Sequence, residues 1–210
     1  MLFLGDESVG KTSIIHFIVT DMFPKNVKKI FKTTTLDSDL FLLETSINTV
    51  LVDSSASKAH EQQTDMEIER ANVIILVYDV NNFDCIKRLR TFWLPRIVKL
   101  NDKVPIILCG NKMDLRSSNN MEGELESHLT PCFMEFRQAE MGLECSAKAY
   151  MGLSDIIQCA QNAVLYPISP LHDSVAKTIR PDFEKALLRI FRILDSDNDG
   201  YLNDEELRSF

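Results

Sequence analysis

The chain has 210 residues, 45% of them hydrophobic and 26% charged, a make-up expected of a soluble globular protein with one large domain or a large domain and a small companion. Its formal net charge of -8 argues against a nucleic-acid partner, and the most basic stretch, Lys25 to Lys32, is interrupted by Asn, Val, Ile and Phe. Five scattered cysteines without CxxC spacing fit buried reduced thiols in a cytosolic setting, no signal peptide is visible, and the longest apolar run, Val73 to Tyr78, is too short to span a bilayer.

Leu2-Phe3-Leu4 reads as the end of a buried strand, short against the usual length of about five or six residues, which raises the expectation of a truncated or alternative start. Gly5-Asp6-Glu7-Ser8-Val9-Gly10-Lys11-Thr12 follows and fits G-x-x-x-x-G-K-[ST], the phosphate-binding P-loop. A glycine-containing strand-to-helix turn can match that pattern by chance, so the context has to decide. Here the context agrees, because Ser13-Ile14-Ile15-His16-Phe17-Ile18 reads as the first turns of a helix. In such a loop, backbone N–H groups curl around the α- and β-phosphates and the helix N-terminus adds its positive dipole end. Lys11 reaches the β- and γ-phosphates, and the Thr12 hydroxyl coordinates Mg²⁺. The candidate phosphate contacts are Gly5, Glu7, Ser8, Val9, Gly10, Lys11, Thr12 and Ser13, with Lys11 also a candidate catalytic residue.

Phe23-Pro24 ends the helical pattern, and a polar, basic loop runs to about Lys32. Leu36 to Leu43 and Ile47 to Val52, separated by Glu44-Thr45-Ser46, predict a hairpin. Asp53 closes the second strand, where a P-loop nucleotidase places the carboxylate that orients Mg²⁺; a strand-end turn would favour Asp as well. Ser54 to Thr64 reads as a loop, Glu67 to Ala71 as a short helix, and Val73 to Asp79 as a fully buried strand. Phe83 to Leu100 is helical, with Ile86, Leu89, Phe92, Trp93 and Ile97 as its buried stripe.

Val104 to Gly110 is another buried strand and leads into Asn111-Lys112-Met113-Asp114. Turns favour Asn and Asp anyway, but N-K-x-D after a buried strand in a P-loop protein points to guanine. The Asp114 carboxylate accepts from the N1–H and exocyclic amine, which adenine does not offer, while Asn111 and Lys112 brace the loop. A helix is predicted near Glu124 to Gln138, then a short strand Leu143-Glu144-Cys145 running into Ser146-Ala147-Lys148, where a backbone N–H meets the guanine O6. Leu153, Ile156, Ile157, Ala160 and Val164 mark the last helix of this domain. Strands alternating with helices predict an α/β fold, a doubly wound sheet of about six strands with its ligand groups at the strands' carboxyl ends.

The domain is expected over residues 1–165. Residues 166–180, beginning Tyr166-Pro167-Ile168-Ser169-Pro170, read as a linker, and 181–210 as a partial EF-hand. Phe183, Leu187, Ile190, Phe191 and Leu194 share one helix face. The loop after it carries Asp195, Asp197 and Asp199, then Gly200 for the sharp turn, Tyr201 offering its carbonyl, Asn203, and Glu206 binding bidentately at position twelve. An acidic surface loop would account for neither that spacing nor the helix before it. The exiting helix is barely begun, so the chain reads as the front part of a longer protein.

The combination resembles the mitochondrial Rho (Miro) GTPases over essentially all 210 residues, through GDESVGKTS, ANVIILVYDVNN, ILCGNKMDL, ECSAK and RIFRILDSDNDGYLNDEEL. The resemblance implies a Ras-like, P-loop small-GTPase fold, GTP/GDP with Mg²⁺ and Ca²⁺ as cofactors, and protein adaptors linking to microtubule motors as partners. It implies a place on the cytosolic face of the mitochondrial outer membrane, held by a C-terminal anchor that follows further EF-hand and GTPase modules in the family. It also implies that a first-switch threonine, Thr33, Thr34 or Thr35 and by spacing Thr35, acts in catalysis and joins Thr12 and Asp53 around Mg²⁺. The wider Ras-like pattern reads D-x-x-G-Q at the second switch, whereas this chain reads Asp53-Ser54-Ser55-Ala56-Ser57, and Glu7 stands where many such loops have a small residue. Ala56 replaces the glycine at the γ-phosphate and Ser57 the glutamine that orients water, so binding is expected with slow hydrolysis. Three functions follow: a GTP-hydrolysing switch, a nucleotide-stabilised adaptor scaffold with negligible turnover, or a calcium sensor on a GTPase platform. The first is favoured as a class.

Overall fold

The computed structural model describes residues 1–24, 26, 31, 33–36, 48–55, 57–116, 121–166, 172–173, 177–179, 181–197 and 199–208. Its backbone divides into two units, Met1–Pro167 and Ile168–Phe210. Among the described residues no helix is long and apolar enough to cross a membrane.

The first unit is built on a six-stranded sheet in the order β2-β3-β1-β4-β5-β6. The strands are β1 (Leu2–Leu4), β2 (Thr34–Leu36), β3 (Thr49–Asp53), β4 (Ile74–Asp79), β5 (Ile106–Asn111) and β6 (Ala139–Glu144). All neighbours run parallel except β2, which is antiparallel to β3 with Thr34 opposite Leu51. Parallel strands need crossover helices, and those helices cover the sheet. The apolar runs of β4 and β5 are accordingly buried on both faces: Ile74, Ile75, Leu76, Ile106 and Leu108 are fully inaccessible. Each such side chain contributes about 1.5–3 kcal/mol by burial. β1 is only three residues long, yet it sits mid-sheet between β3 and β4 with Phe3 and Leu4 fully buried. That central seat fixes where the loop after Leu4 emerges.

Around the sheet lie α1 (Lys11–Thr20), α2 (Glu61–Arg70), α3 (Phe83–Arg88), α4 (Leu94–Leu100), α5 (Met121–Glu135) and α6 (Leu153–Leu165). Between α3 and α4, Leu89–Trp93 forms a π-helical segment, marked by the Leu94 N–H bonding to the Leu89 carbonyl five residues back. Pro95 follows at once, and the wide turn accommodates a residue that has no N–H to give.

Several sequence boundaries shift. α2 begins at Glu61, inside the stretch read as loop, because only Thr64 and Ile68 are buried and a polar helix leaves little apolar signature. β6 begins at Ala139 rather than Leu143; as an edge strand it is half exposed and lacks a continuous apolar run. α5 ends at Glu135, three residues before the expected Gln138. Phe92 is only half buried, and Val164 is 42% exposed while Ala163 faces the core. Of the predicted hairpin, β3 pairs antiparallel with β2, but β2 covers Thr34–Leu36 and meets the expected Leu36–Leu43 strand at Leu36 alone; residues 37–47 lie outside the described set, as does Ala56.

The second unit contains α7 (Pro181–Leu194) and α8 (Asp204–Arg208). Within the span read as linker, β7 (His172–Asp173) pairs antiparallel with β8 (Thr178–Ile179); residues 167–171, 174–176 and 180 lie outside the described set. On α7, Phe183, Phe191 and Leu194 are half buried while Leu187 and Ile190 are exposed.

Candidate nucleotide and metal sites

The carboxyl ends of β1, β3, β4, β5 and β6 carry the candidate ligand groups. After β1 the chain turns through Gly5 at φ 140°, Ser8 at φ 60° and Gly10 at φ 99°, then enters α1 at Lys11. A Cβ on Gly10 would stand 2.2 Å from the Asn111 amide nitrogen, so glycine is required there for close approach as well as for backbone freedom. α1 has no acidic residue in its first turn to compete with an anion at its N-terminal N–H groups. Ser8 and Glu7 are exposed, while Val9 and Ser13 are buried.

Lys11 is buried, and its ammonium donates to the Gly5 carbonyl at 2.9 Å and the Asp6 carbonyl at 2.8 Å. Burial lowers its pKa, opposed by the nearby carboxylates of Asp53, Asp6 and Glu7. A buried ammonium at this turn could complement a phosphate. Asp6 itself accepts from Arg88 Nε at 3.0 Å on both oxygens and from Trp93 Nε1 at 3.0 Å. Beside the loop opens a cavity of about 490 Å³, lined among others by Glu7, Ser57, Glu61, Arg88 and Trp93.

Asp53, at the end of β3, accepts on Oδ2 from the Thr12 hydroxyl at 2.6 Å and from the Phe31 N–H at 2.7 Å. Its other oxygen, Oδ1, is buried with no hydrogen-bond partner among the described residues. Burial raises the Asp53 pKa, while the Thr12 and Phe31 hydrogen bonds and the Lys11 charge lower it. A buried carboxylate oxygen without a donor beside a threonine hydroxyl fits a hard divalent cation or its water, so these residues suit Mg²⁺. Thr35 is not brought to this pair. It lies exposed on β2 opposite Val50, three positions along β3 from Asp53, a separation of about 10 Å.

Asn111 is the hinge of the site. It is 2% exposed, its amide donates to the Val9 carbonyl at 2.9 Å, and its carbonyl oxygen accepts from the Ala147 N–H at 3.2 Å. Lys112 adopts φ 67°; its ammonium pairs with Asp79 at 2.7 Å and its carbonyl accepts from Asn81 at 3.1 Å. Asp114 is exposed and receives the Ser146 hydroxyl at 2.6 Å, while the Ser146 oxygen accepts from the Ala149 N–H. Lys148 is exposed at the rim. The Ala147 N–H, the natural donor to a base oxygen, is thus already directed at Asn111. The structure therefore gathers Lys11, Thr12 and Asp53 at one end and Asn111, Asp114, Ser146 and Ala147 at the other. Sequence reasoning missed Asp6, Asp79 and Asn81; for Asp79 a signal was visible, a carboxylate ending a buried strand.

In the second unit, one carboxylate oxygen from each of Asp195, Asp197 and Asp199 lies within 4.8 Å of the others. Asp195 accepts from the Asp199 and Gly200 N–H groups, with Gly200 at φ 84°. Glu206 is buried and accepts from the Ser196 N–H and hydroxyl. It also exchanges hydrogen bonds with Asn203, carboxylate to backbone N–H and backbone N–H to side-chain oxygen, each at 3.1 Å, a capping box that starts α8. These bonds, those from Asn203 and Ser196 foremost, hold the Glu206 carboxyl below the usual range. Tyr201 is 77% exposed. The donor set is all oxygen and fits Ca²⁺ by chemistry.

Compared with known proteins, residues 1–166 match the Ras family. Over 206 residues the chain is 40% identical to Mitochondrial Rho GTPase 1 of Mycosarcoma maydis, an alignment covering 98% of this chain and 27% of that protein. The chain thus spans about a quarter of the length of this relative.

Proposed function

The chain belongs to the Ras family, and from that membership we propose that it is a guanine-nucleotide switch that binds GTP and hydrolyses it slowly to GDP. The observation that carries the reading is Asn111, a single buried side chain joining the phosphate loop at Val9 to the base loop at Ala147. Such a brace sets the distance between a phosphate subsite and a base subsite, which only a nucleotide occupies together.

The work of the residues follows from their chemistry. Gly5 to Thr12 offers main-chain N–H groups and the Lys11 ammonium to the phosphates, where negative charge grows as the γ-phosphate leaves. Thr12 and Asp53 would hold Mg²⁺, which when bound draws charge from the phosphate oxygens. Asp114, oriented by Ser146, accepts from the guanine edge. Ser57 stands where a water-orienting glutamine serves other Ras-like chains, and its side chain ends at a hydroxyl, so turnover is slow. That substitution also favours a second reading, a nucleotide-bound adaptor scaffold with negligible turnover.

The same proposal extends to the second unit as a Ca²⁺ site, with Asp195, Asp197, Asp199, Asn203, Glu206 and the Tyr201 carbonyl as ligands. Likeness to a protein named a mitochondrial Rho GTPase extends it further, to mitochondrial trafficking from the cytosolic face of the outer membrane through adaptors to motors.

Binding of fluorescent GDP, competed by GTP and by ATP, followed by single-turnover hydrolysis at saturating Mg²⁺, tests the reading. GTP is expected to compete strongly and ATP weakly, with Lys11→Ala abolishing binding. Equal competition by ATP overturns the guanine assignment, and hydrolysis no faster than in free solution favours the scaffold.

A further inference from the structure

We propose that Asp6 is a positioning residue for the nucleotide, holding the phosphate loop in its binding shape through a clamp that the π-helical segment creates. The proposal rests on the nucleotide reading above and concerns how that site is kept ready.

Asp6 does not face the phosphates with a donor; it is a carboxylate in a loop built to receive anions. Its charge is consumed from outside the loop. Arg88 Nε reaches both its oxygens at 3.0 Å, and the Trp93 indole N–H reaches Oδ1 at 3.0 Å. These two donors are five positions apart. On a regular α-helix, residues so spaced point about 140° apart around the axis and cannot converge on one carboxylate. In a π turn the hydrogen bond spans five residues, which brings such a pair toward one side. The widened segment Leu89–Trp93 follows Arg88 and contains Trp93, so the irregularity gives this helix two donors for one acceptor.

The helix is a firm base for the clamp. Trp93 is 3% exposed and Leu89 1%. Arg88 lies over the Phe92 ring at 4.7 Å, and Arg96, one turn on, bonds Asp65 of α2 at 2.9 Å. Within the loop, the Asp6 carbonyl accepts from Lys11 at 2.8 Å. Fixing the Asp6 side chain therefore fixes the peptide that seats Lys11, and with it the direction of the N–H groups that follow. A loop held this way loses less conformational freedom when phosphate arrives.

The test is the release rate of fluorescent GDP from the full chain with Mg²⁺ present. Asp6→Asn and Arg88→Met are expected to release it about tenfold faster than wild type, because a charge-assisted contact is lost. Arg88→Lys, which keeps a cation in reach, is expected to stay within about threefold. Arg88 is a surface side chain, 47% exposed, so Arg88→Met tests the clamp without endangering the core. Arg90→Met, which breaks the ion pair from the π segment to Glu135 of α5, is the control and is expected to stay within about twofold. Wild-type release rates in both Asp6→Asn and Arg88→Met overturn the proposal, as does an equal acceleration by Arg90→Met, which would make the effect one of helix stability. If the wild-type chain takes up no guanine nucleotide, the underlying reading fails and this one with it.

Discussion

Ser146 donates its hydroxyl proton to the Asp114 carboxylate at 2.6 Å, linking the end of one strand connection to the next across 32 residues of sequence. On the nucleotide reading, base choice is expected to depend on this pair. Asp114→Asn is expected to weaken GTP binding about a hundredfold and to admit xanthine nucleotides, since the edge must then accept one bond and donate the other. Ser146→Ala removes only the orienting bond and is expected to cost about fivefold. Competition titrations with GTP, XTP and ATP read both effects.

Hydrolysis is expected to resist a one-residue repair. Ser57 lines the cavity beside the P-loop, its N–H bonded to the Ser55 hydroxyl at 3.2 Å, and Ala56 precedes it in the sequence. Ser57→Gln alone is expected to leave single-turnover hydrolysis within about threefold of wild type, because the alanine before it lacks glycine's backbone freedom. A rise of a hundredfold from that change alone would overturn the argument.

Asp53 offers beside Thr12 a buried oxygen with no hydrogen-bond partner among the described residues. Asp53→Asn keeps the shape and removes the charge. Chelating Mg²⁺ is expected to speed GDP release from the wild type by about tenfold or more and to change the variant little, as the variant no longer holds the ion well. An unchanged Mg²⁺ response in Asp53→Asn would remove Asp53 from the ion's surroundings.

For the acidic loop, the expected outcome is Ca²⁺ binding in the weak range for such sites, lowered about tenfold by Glu206→Gln through loss of the bidentate charge. Tyr201, exposed within the loop, serves as the antenna for terbium luminescence, with Ca²⁺ displacing the lanthanide. No luminescence in the wild-type chain would refute a cation site there.

Much of this was legible in the residues. β4 and β5 are continuous apolar runs whose burial agrees with the pattern, so composition sufficed to locate them, and the glycine turn after β1 and the loops after β5 and β6 fall where the spacing puts them. α2 and β6 were harder to read, since a helix with two buried residues and a half-exposed edge strand both look like polar loop. The π segment leaves no mark on the sequence, because one added residue merely shifts the apolar stripe, and Phe92 on it packs against the core while remaining half exposed. The Asp6 contacts lie 82 and 87 residues away, and no local pattern announces a carboxylate's distant partners. Thr35 was chosen by spacing from the P-loop, whereas its position is set by antiparallel pairing with β3.

The Asn111 brace also orders events in time. The phosphate loop precedes its partners along the chain, and its central strand β1 needs β3 and β4 on either side. Its link to the base subsite waits for Asn111, 102 residues after Val9, and then for Ala147, 36 residues later still. A ribosome adding about 5–20 residues per second takes several seconds to span that gap. Until Ala147 follows β6 into place the two halves of the candidate pocket are not joined, so on the nucleotide reading ligand is expected to stabilise the assembled domain rather than its earlier parts.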